Sequence, residues 1–307
     1  MSLDYAGHIA RDPVINGRRK RGHAGYVEDL KRLREAHYRQ FLDNGEYRFA
    51  RVDEVIAAFD APPPEDFTFP YSLTPEQVAQ LEQHRVQRKY VKRFANIRRS
   101  WALLLQYLPE LMAPGTRPRD VLEMSTAHGA TLEILRHNGH TVRGTDFPNF
   151  LGRKTAMDSR ERGVNDFVPG LHRDDHGFLN DNGEAEGWLY QPITDSLGLE
   201  VDLFDAGQVP YPYVNDRFDT VISFDALEHY CHPRDWLFVI DEMVRIARRS
   251  VLVVTNPVQE HKLADSRYME AFHTFQKDMR SYRDGGFECV LAGMYRHQVT
   301  VFKLMAA

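Results

Sequence analysis

Two acids flank a turn of small residues in the layout of a nucleotide-binding strand–loop–helix. Glu123 ends the apolar run VLE, and Asp146 ends TVRGTD. Between them lies the turn, Ser125-Thr126-Ala127-His128-Gly129. A backbone that closely approaches a ligand needs small side chains, and Ser125, Ala127 and Gly129 supply them at every second position. Of the three, only Gly129 takes positive φ freely. Asp146 stands roughly 20 residues after the first acid, where a carboxylate can accept hydrogen bonds from both hydroxyls of a ribose. A dinucleotide site would want a fuller G-x-G-x-x-G, so a NAD-dependent dehydrogenase falls behind. Taken alone, the turn is also compatible with an ordinary strand–helix connection.

A second cluster is FDALEH, in which Asp225, Glu228 and His229 fall at i, i+3 and i+4. His229 is the candidate general base, because imidazole titrates near neutral pH. Shaping a pocket or capping the next helix would also account for it. On one helical turn the three side chains could share a divalent ion with a later histidine such as His261 or His273. Hydrogen bonding and capping are the simpler reading, and no metal site is assigned.

The chain that must position these groups has 307 residues, 42% hydrophobic and 27% charged, as in an ordinary globular protein. Its net charge of −5 gives no pull toward nucleic acid or membrane. Two distant cysteines, Cys231 and Cys289, exclude a disulfide scaffold and fit a reducing compartment. No signal-peptide core or spanning apolar run occurs, so a cytoplasmic protein is expected. Residues 1–25 read as a poorly ordered tail containing Arg18, Arg19, Lys20 and Arg21. Residues 26–98 read as helical, broken at Pro62–Pro64 and restarted at SLTPEQ by Thr74 as N-cap, Pro75 and Gln77. That second helical stretch is expected to run through PELM, with a solvated basic face of Arg88, Lys89, Lys92, Arg93, Arg98 and Arg99.

From about Arg99 to the end, strands alternate with helices: DVLEM, TLEILRHNG, TVRGTD, FDTVISF, HPRDWLFVIDEMVRIARR and SVLVVTNP. This order predicts a doubly wound, mostly parallel α/β sheet covered on both faces. GFECVLAGMYRHQVTVFKL should close it as an antiparallel hairpin, turning around Gly293 to His297.

Glu123, the turn to Gly129, TVRGTD, LFDAGQVPYP, RFDTVISFDALEH and the terminal hairpin follow one another as in a known family. Over roughly residues 100–304 the sequence resembles class I S-adenosylmethionine-dependent methyltransferases, nearest the small-molecule O- and N-methyltransferase branch with its LEH turn. The resemblance implies a Rossmann-like fold with S-adenosylmethionine as cofactor. It places Glu123 and the Ser125–Gly129 turn at the methionine part, Asp146 on the ribose and Phe147 against the adenine. Asp205 and Ala206 would meet the adenine edge, and Phe224 and Asp225 would line the methyl-donor pocket. The family usually has glycine where Ser125 and Ala127 stand, and these are the next-smallest side chains. Acid-x-x-Glu-His patterns like that at Asp225 also occur in metal-using methyltransferases. Thr255-Asn256-Pro257 resembles the N-P-P-Y loop of amino-methylating nucleic-acid enzymes but follows the wrong strand, which disfavours a nucleic-acid acceptor.

The 149–199 segment is long for a connection and carries Phe178, Trp188 and Tyr190 among polar residues. These aromatics would stack on a carbohydrate or serve as packing anchors. The amino-terminal helices would form a lid over the cofactor or a homodimer contact. The leading expectation is methyl transfer to an oxygen or nitrogen of a small-molecule or glycan-type acceptor. Its competitor is a binding or scaffold protein that kept the fold and lost turnover.

Overall fold

The structure is a computed structural model. It describes residues 63–83, 86, 90–112, 115–147, 188–256, 258, 260–295 and 299–307. The 1–25 tail, the helical pattern from Tyr26 to Phe59, Arg88, Lys89, Phe178 and most of the 149–199 segment lie outside these residues.

Helix α1 (Pro75–Gln83) opens with the expected capping box. The Gln77 N–H donates to Thr74 Oγ1 at 3.2 Å, and the Thr74 N–H donates to Gln77 Oε1 at 2.9 Å. The helical pattern does not continue unbroken to PELM. A turn at 90–92 precedes α2 (Arg93–Tyr107), and Pro109, lacking an N–H, starts the short α3 (Pro109–Met112). Helix α2 runs across residue 99, the start assigned above to the α/β domain.

The strands β1 (Asp120–Met124), β2 (Thr141–Asp146), β3 (Val201–Leu203) and β4 (Phe218–Phe224) follow, with α4 (Ala130–His137) and α5 (Gln191–Ser196) between them. Next come α6 (Trp236–Ile246), β5 (Ala247–Val254), α7 (Glu260–Leu263) and α8 (Ser266–Arg280). The two-residue β6 (Arg283–Asp284), β7 (Phe287–Tyr295) and β8 (Val299–Ala306) complete the described chain. Their order in the sheet is β3-β2-β1-β4-β5-β8-β7-β6. The first five are parallel and the last three antiparallel, which is the doubly wound arrangement expected. The order reverses between β1 and β4, opening a crevice beyond their carboxyl ends.

Alternation along the strands sorts the core into two layers. Val121, Ile222, Leu252 and Val254 pack with Ile97, Leu104 and Leu108 of the α2 side and Ile134 of α4. Leu122, Val221, Val251 and Val253 pack with Trp236, Val239 and Met243 of α6 and Phe272 and Phe275 of α8. No helix of the described residues is long and apolar enough to cross a membrane.

Helix α6 begins at Trp236, after a 3₁₀ turn over Pro233–Asp235, and not at His232, and two further boundaries differ from expectation. Ala247, Arg248 and Arg249 open β5 instead of ending the preceding helix, because both arginines pair with Asp219 of the adjacent β4. The hairpin turn also comes later, since β7 pairs through Gly293 to Tyr295. Strand β8 is inserted between β5 and β7, so the sheet edge falls to β6.

On β8, Lys303 is 0% exposed, and its ammonium donates to Glu110 Oε1 of α3 at 2.8 Å. Removing one partner of a buried pair strands a charge, whereas an apolar replacement of the buried partner does not. Glu110→Ala should therefore destabilise the protein by about 3 kcal/mol in urea titration, with Lys303→Met costing much less. Equal losses would show that the pair itself stabilises the fold.

Candidate functional site

The turn after β1 is left-handed at alternate residues: Ser125 has φ 55°, Ala127 49° and Gly129 73°. Positive φ thus extends beyond the one residue whose type favours it. Each L-residue held there costs about 1–2 kcal/mol, so the surroundings must enforce the path. They do so through β2. The Ser125 N–H donates to Thr145 Oγ1 (3.3 Å), Thr126 N–H to the Thr145 carbonyl (2.8 Å) and Ala127 N–H to Asp146 Oδ2 (2.9 Å). Gly144 makes room for this: a Cβ on it would lie 2.4 Å from Thr126 Oγ1. Gly129 takes its φ freely, and a Cβ there would lie 2.5 Å from Leu199 Cδ1, so that side chain would have to shift to admit one.

Asp146 accepts one backbone N–H on each oxygen, from Ala127 and, at 2.7 Å, from Phe147. Phe147 is buried beside it. Asp205 is held similarly, by the Gly207 N–H at 2.9 Å and the Gln208 amide at 3.3 Å. Ala206 is buried, and its carbonyl accepts from the Tyr211 hydroxyl at 2.9 Å. Glu123 is buried, and its Oε2 has no hydrogen-bond partner among the described residues. Desolvation pushes its carboxyl up from 4.5 to about 8, reinforced by the Asp146 charge and opposed by a hydrogen bond with Thr131.

Across the crevice, Asp225 is also left-handed, with φ 53°. Its N–H donates to the Val254 carbonyl (2.6 Å), and its carbonyl accepts from Asn256 Nδ2 (2.9 Å). Its carboxylate pairs with Arg99 of α2. Phe224, just before it, packs on the α2–α4 layer. Residues 227–229 form a 3₁₀ turn in which Glu228 Oε1 accepts from Asn256 Nδ2 at 2.5 Å. His229 is 47% exposed, with Nε2 3.6 Å from Glu228 Oε1. Asp225, Glu228 and His229 therefore do not converge: the two acids are drawn to Arg99 and Asn256. His273 faces Gln276 at 3.4 Å, and no group of three potential metal ligands gathers among the described residues.

Several neighbours of the site carry no signal in the sequence. The Tyr230 hydroxyl bonds Ser125 Oγ at 2.9 Å, joining the turns after β1 and β4. Burial, with Arg99 nearby, pulls the His128 imidazole down to about 4. Its ring lies 6.0 Å from Tyr90, which meets Tyr190 at 5.3 Å, and Tyr190 meets Trp188 at 5.6 Å. Arg93 does not lie on a solvated face. It pairs with Glu133 and donates to the carbonyls of Asp66 and Phe69 at 2.8 and 2.9 Å.

A cavity of about 290 Å³ opens at the opposite, amino ends of β1, β2 and β4, lined partly by Asp120, His140 and Arg217. Its arginines 143 and 217 are paired with acids. Ligands of open α/β sheets bind at the carboxyl ends, where the strained turns lie, and the candidate site is placed there.

No protein-family model matches the chain, and no curated protein matches it. Similar solved structures include the PH0226 protein of Pyrococcus horikoshii (14% identical, 74% of this chain and 99% of that one, TM-score 0.43). Another is the magnesium protoporphyrin IX methyltransferase of Synechocystis with bound SAH (13%, 70% and 84%, TM-score 0.41). A third is the 1,6-didemethyltoxoflavin N1-methyltransferase of Burkholderia thailandensis (14%, 81% and 93%, TM-score 0.37). The fold itself is established by the strand order above.

Two measurements test this site. Ala127→Gly should relieve the left-handed turn and raise stability by about 0.5–1 kcal/mol after glycine's entropic cost. A loss would mean that the turn is not left-handed in solution. For Glu123, a folded-state carboxyl raised from 4.5 to about 8 makes folding progressively less favourable as pH climbs through that window. Glu123→Gln removes the ionisation, so the variant's stability relative to wild type should rise between pH 5 and 8 and level off above. A difference independent of pH would contradict the buried, raised carboxyl.

Proposed function

We propose that the chain is a class I S-adenosylmethionine-dependent methyltransferase acting on an oxygen or nitrogen of a small-molecule or glycan-type acceptor. The observation that carries this reading is the set of left-handed residues Ser125, Ala127 and Asp225 on the two sides of the switch-point crevice. They bring two backbones to the place where an open α/β sheet binds its ligand, with Asp146 and Asp205 at the ends of the neighbouring strands. The donor and acceptor set suits the cofactor. Asp146, its two oxygens oriented by the Ala127 and Phe147 N–H groups, would meet the ribose hydroxyls, and buried Phe147 would offer an apolar surface to a base. Asp205 and Ala206 would take the adenine edge, and Glu123 with the 125–129 turn the methionine portion. The Glu123 oxygen that has no hydrogen-bond partner among the described residues supports this, as a buried polar atom that a ligand could satisfy.

When bound, the cofactor supplies an electrophilic methyl group on a sulfonium. The protein's part is to bind, orient and move one proton. Phe224 and Asp225 would line the methyl side, and His229 would take the acceptor's O–H or N–H proton. Its half-exposed ring beside Glu228, whose Oε1 Asn256 fixes, favours that role.

Calorimetry with S-adenosylhomocysteine tests the reading first. Wild type should bind, and Asp146→Asn should weaken binding by about tenfold, or 1.4 kcal/mol, without loss of fold. Absence of binding by folded wild type sinks the proposal. Binding without methyl transfer across metabolite and glycan acceptors would instead favour a scaffold.

A further inference from the structure

One carboxylate oxygen and one hydroxyl are left unmatched on the half of the crevice that the cofactor reading does not use. Glu123, Asp146 and Asp205 stand at the ends of β1, β2 and β3, whereas Glu228 follows β4 and Asn256 follows β5. Glu228 Oε1 accepts from the Asn256 N–H at 3.2 Å and from Asn256 Nδ2 at 2.5 Å. Its Oε2 is buried with no hydrogen-bond partner among the described residues. Leaving a buried acceptor unmatched costs about 1–3 kcal/mol, so this oxygen calls for a partner.

Tyr268, near the start of α8, is the second group. Its ring is buried, with the Lys262 ammonium 4.9 Å from the centroid and the His232 ring edge-on at 5.6 Å. Its backbone N–H donates to Asp265 Oδ1 at 3.2 Å, but its hydroxyl makes no hydrogen bond among the described residues. Burial, then the neighbouring Glu228 and Cys231, push its phenol up, so Tyr268 and Glu228 feel each other without bonding. A carboxylate oxygen only accepts, whereas a phenol has one hydrogen to place. A ligand hydroxyl matches both, donating to Glu228 Oε2 and accepting from Tyr268. An ammonium would donate to the acid and leave the phenol's hydrogen unplaced. A carboxylate or phosphate would take that hydrogen but meet the charge of Glu228.

We propose that Glu228 and Tyr268 together bind a hydroxyl of the methyl acceptor, and so select neutral hydroxylated acceptors over amines and anions. The inference rests on the methyltransferase reading above and deepens it by naming the group on the acceptor that is recognised. Asn256 is then a positioning residue: by occupying Oε1 it leaves Oε2 as the oxygen that meets the ligand.

Benzyl alcohol, benzylamine and benzoate share a ring and differ in the polar group, and they serve as probes in ligand-observed NMR titrations of the full chain. Wild type should bind the alcohol about fivefold more tightly than the other two. Tyr268→Phe should weaken the alcohol about tenfold. Glu228→Gln, which sets an amide donor beside the phenol, should turn the preference toward benzoate. Affinity for S-adenosylhomocysteine should stay unchanged in both variants, which also shows that they fold. Absence of probe binding, or an alcohol preference that neither variant alters, overturns the inference and leaves the methyltransferase reading standing. Failure of folded wild type to bind S-adenosylhomocysteine overturns that reading, and the acceptor assignment with it.

Discussion

The hydrogen bond from the Ala127 N–H to Asp146 joins the first strand's turn to the second strand's end, and the candidate site depends on it. With its two companions at Thr145 it holds Ser125 and Ala127 in a left-handed path that their Cβ atoms oppose. The same carboxylate that fixes the turn is the one proposed above to meet a ribose, so a change at Asp146 would act on the turn as well as on any ligand. Gly144 leaves the room that the Thr126 side chain occupies.

From that joint the support spreads in two directions. Leu199 fills the space that a side chain on Gly129 would need, so the segment leading into β3 buttresses the turn from one side. On the other, Tyr230 and Ser125 bridge to the turn after β4, and Arg99 brings α2 to the same place. Helix α2 thereby belongs to two structures at once. Its apolar residues complete one layer of the core, and its polar residues face the crevice and the buried seam with α4.

Strands DVLEM, TVRGTD and FDTVISF could be located to the residue: the first and last are short apolar-rich runs, and TVRGTD, whose only apolar side chain is Val142, is marked off by the helix end at Asn138–Gly139. Thr74 and Gln77 were equally legible, since a capping box is a local exchange of two hydrogen bonds. Features that depend on distant partners were not. Arg248 and Arg249 continue a helical pattern in sequence, and acids on other strands, Asp219 for both and Asp120 for Arg248, draw them into β5. Arg99 is indistinguishable in sequence from Arg98, and Tyr230 from any aromatic after a turn. Positive φ at Ser125 and Ala127 is likewise not written in their side chains, because the strand beside them imposes it. Of the candidate site, the acids and the turn were legible and the bridges across the crevice were not.

The position of β8 bears on how the molecule is made. It is the last of the described strands in chain order, yet it lies between β5 and β7. During synthesis from the amino end, β5 must leave the ribosome with one edge open and keep it open until residues 299–306 follow. That edge is formed by Val251, Leu252, Val253 and Val254, which are apolar and β-prone, the kind of edge other chains readily join. Until β8 pairs with it, that edge is an aggregation hazard of the nascent sheet.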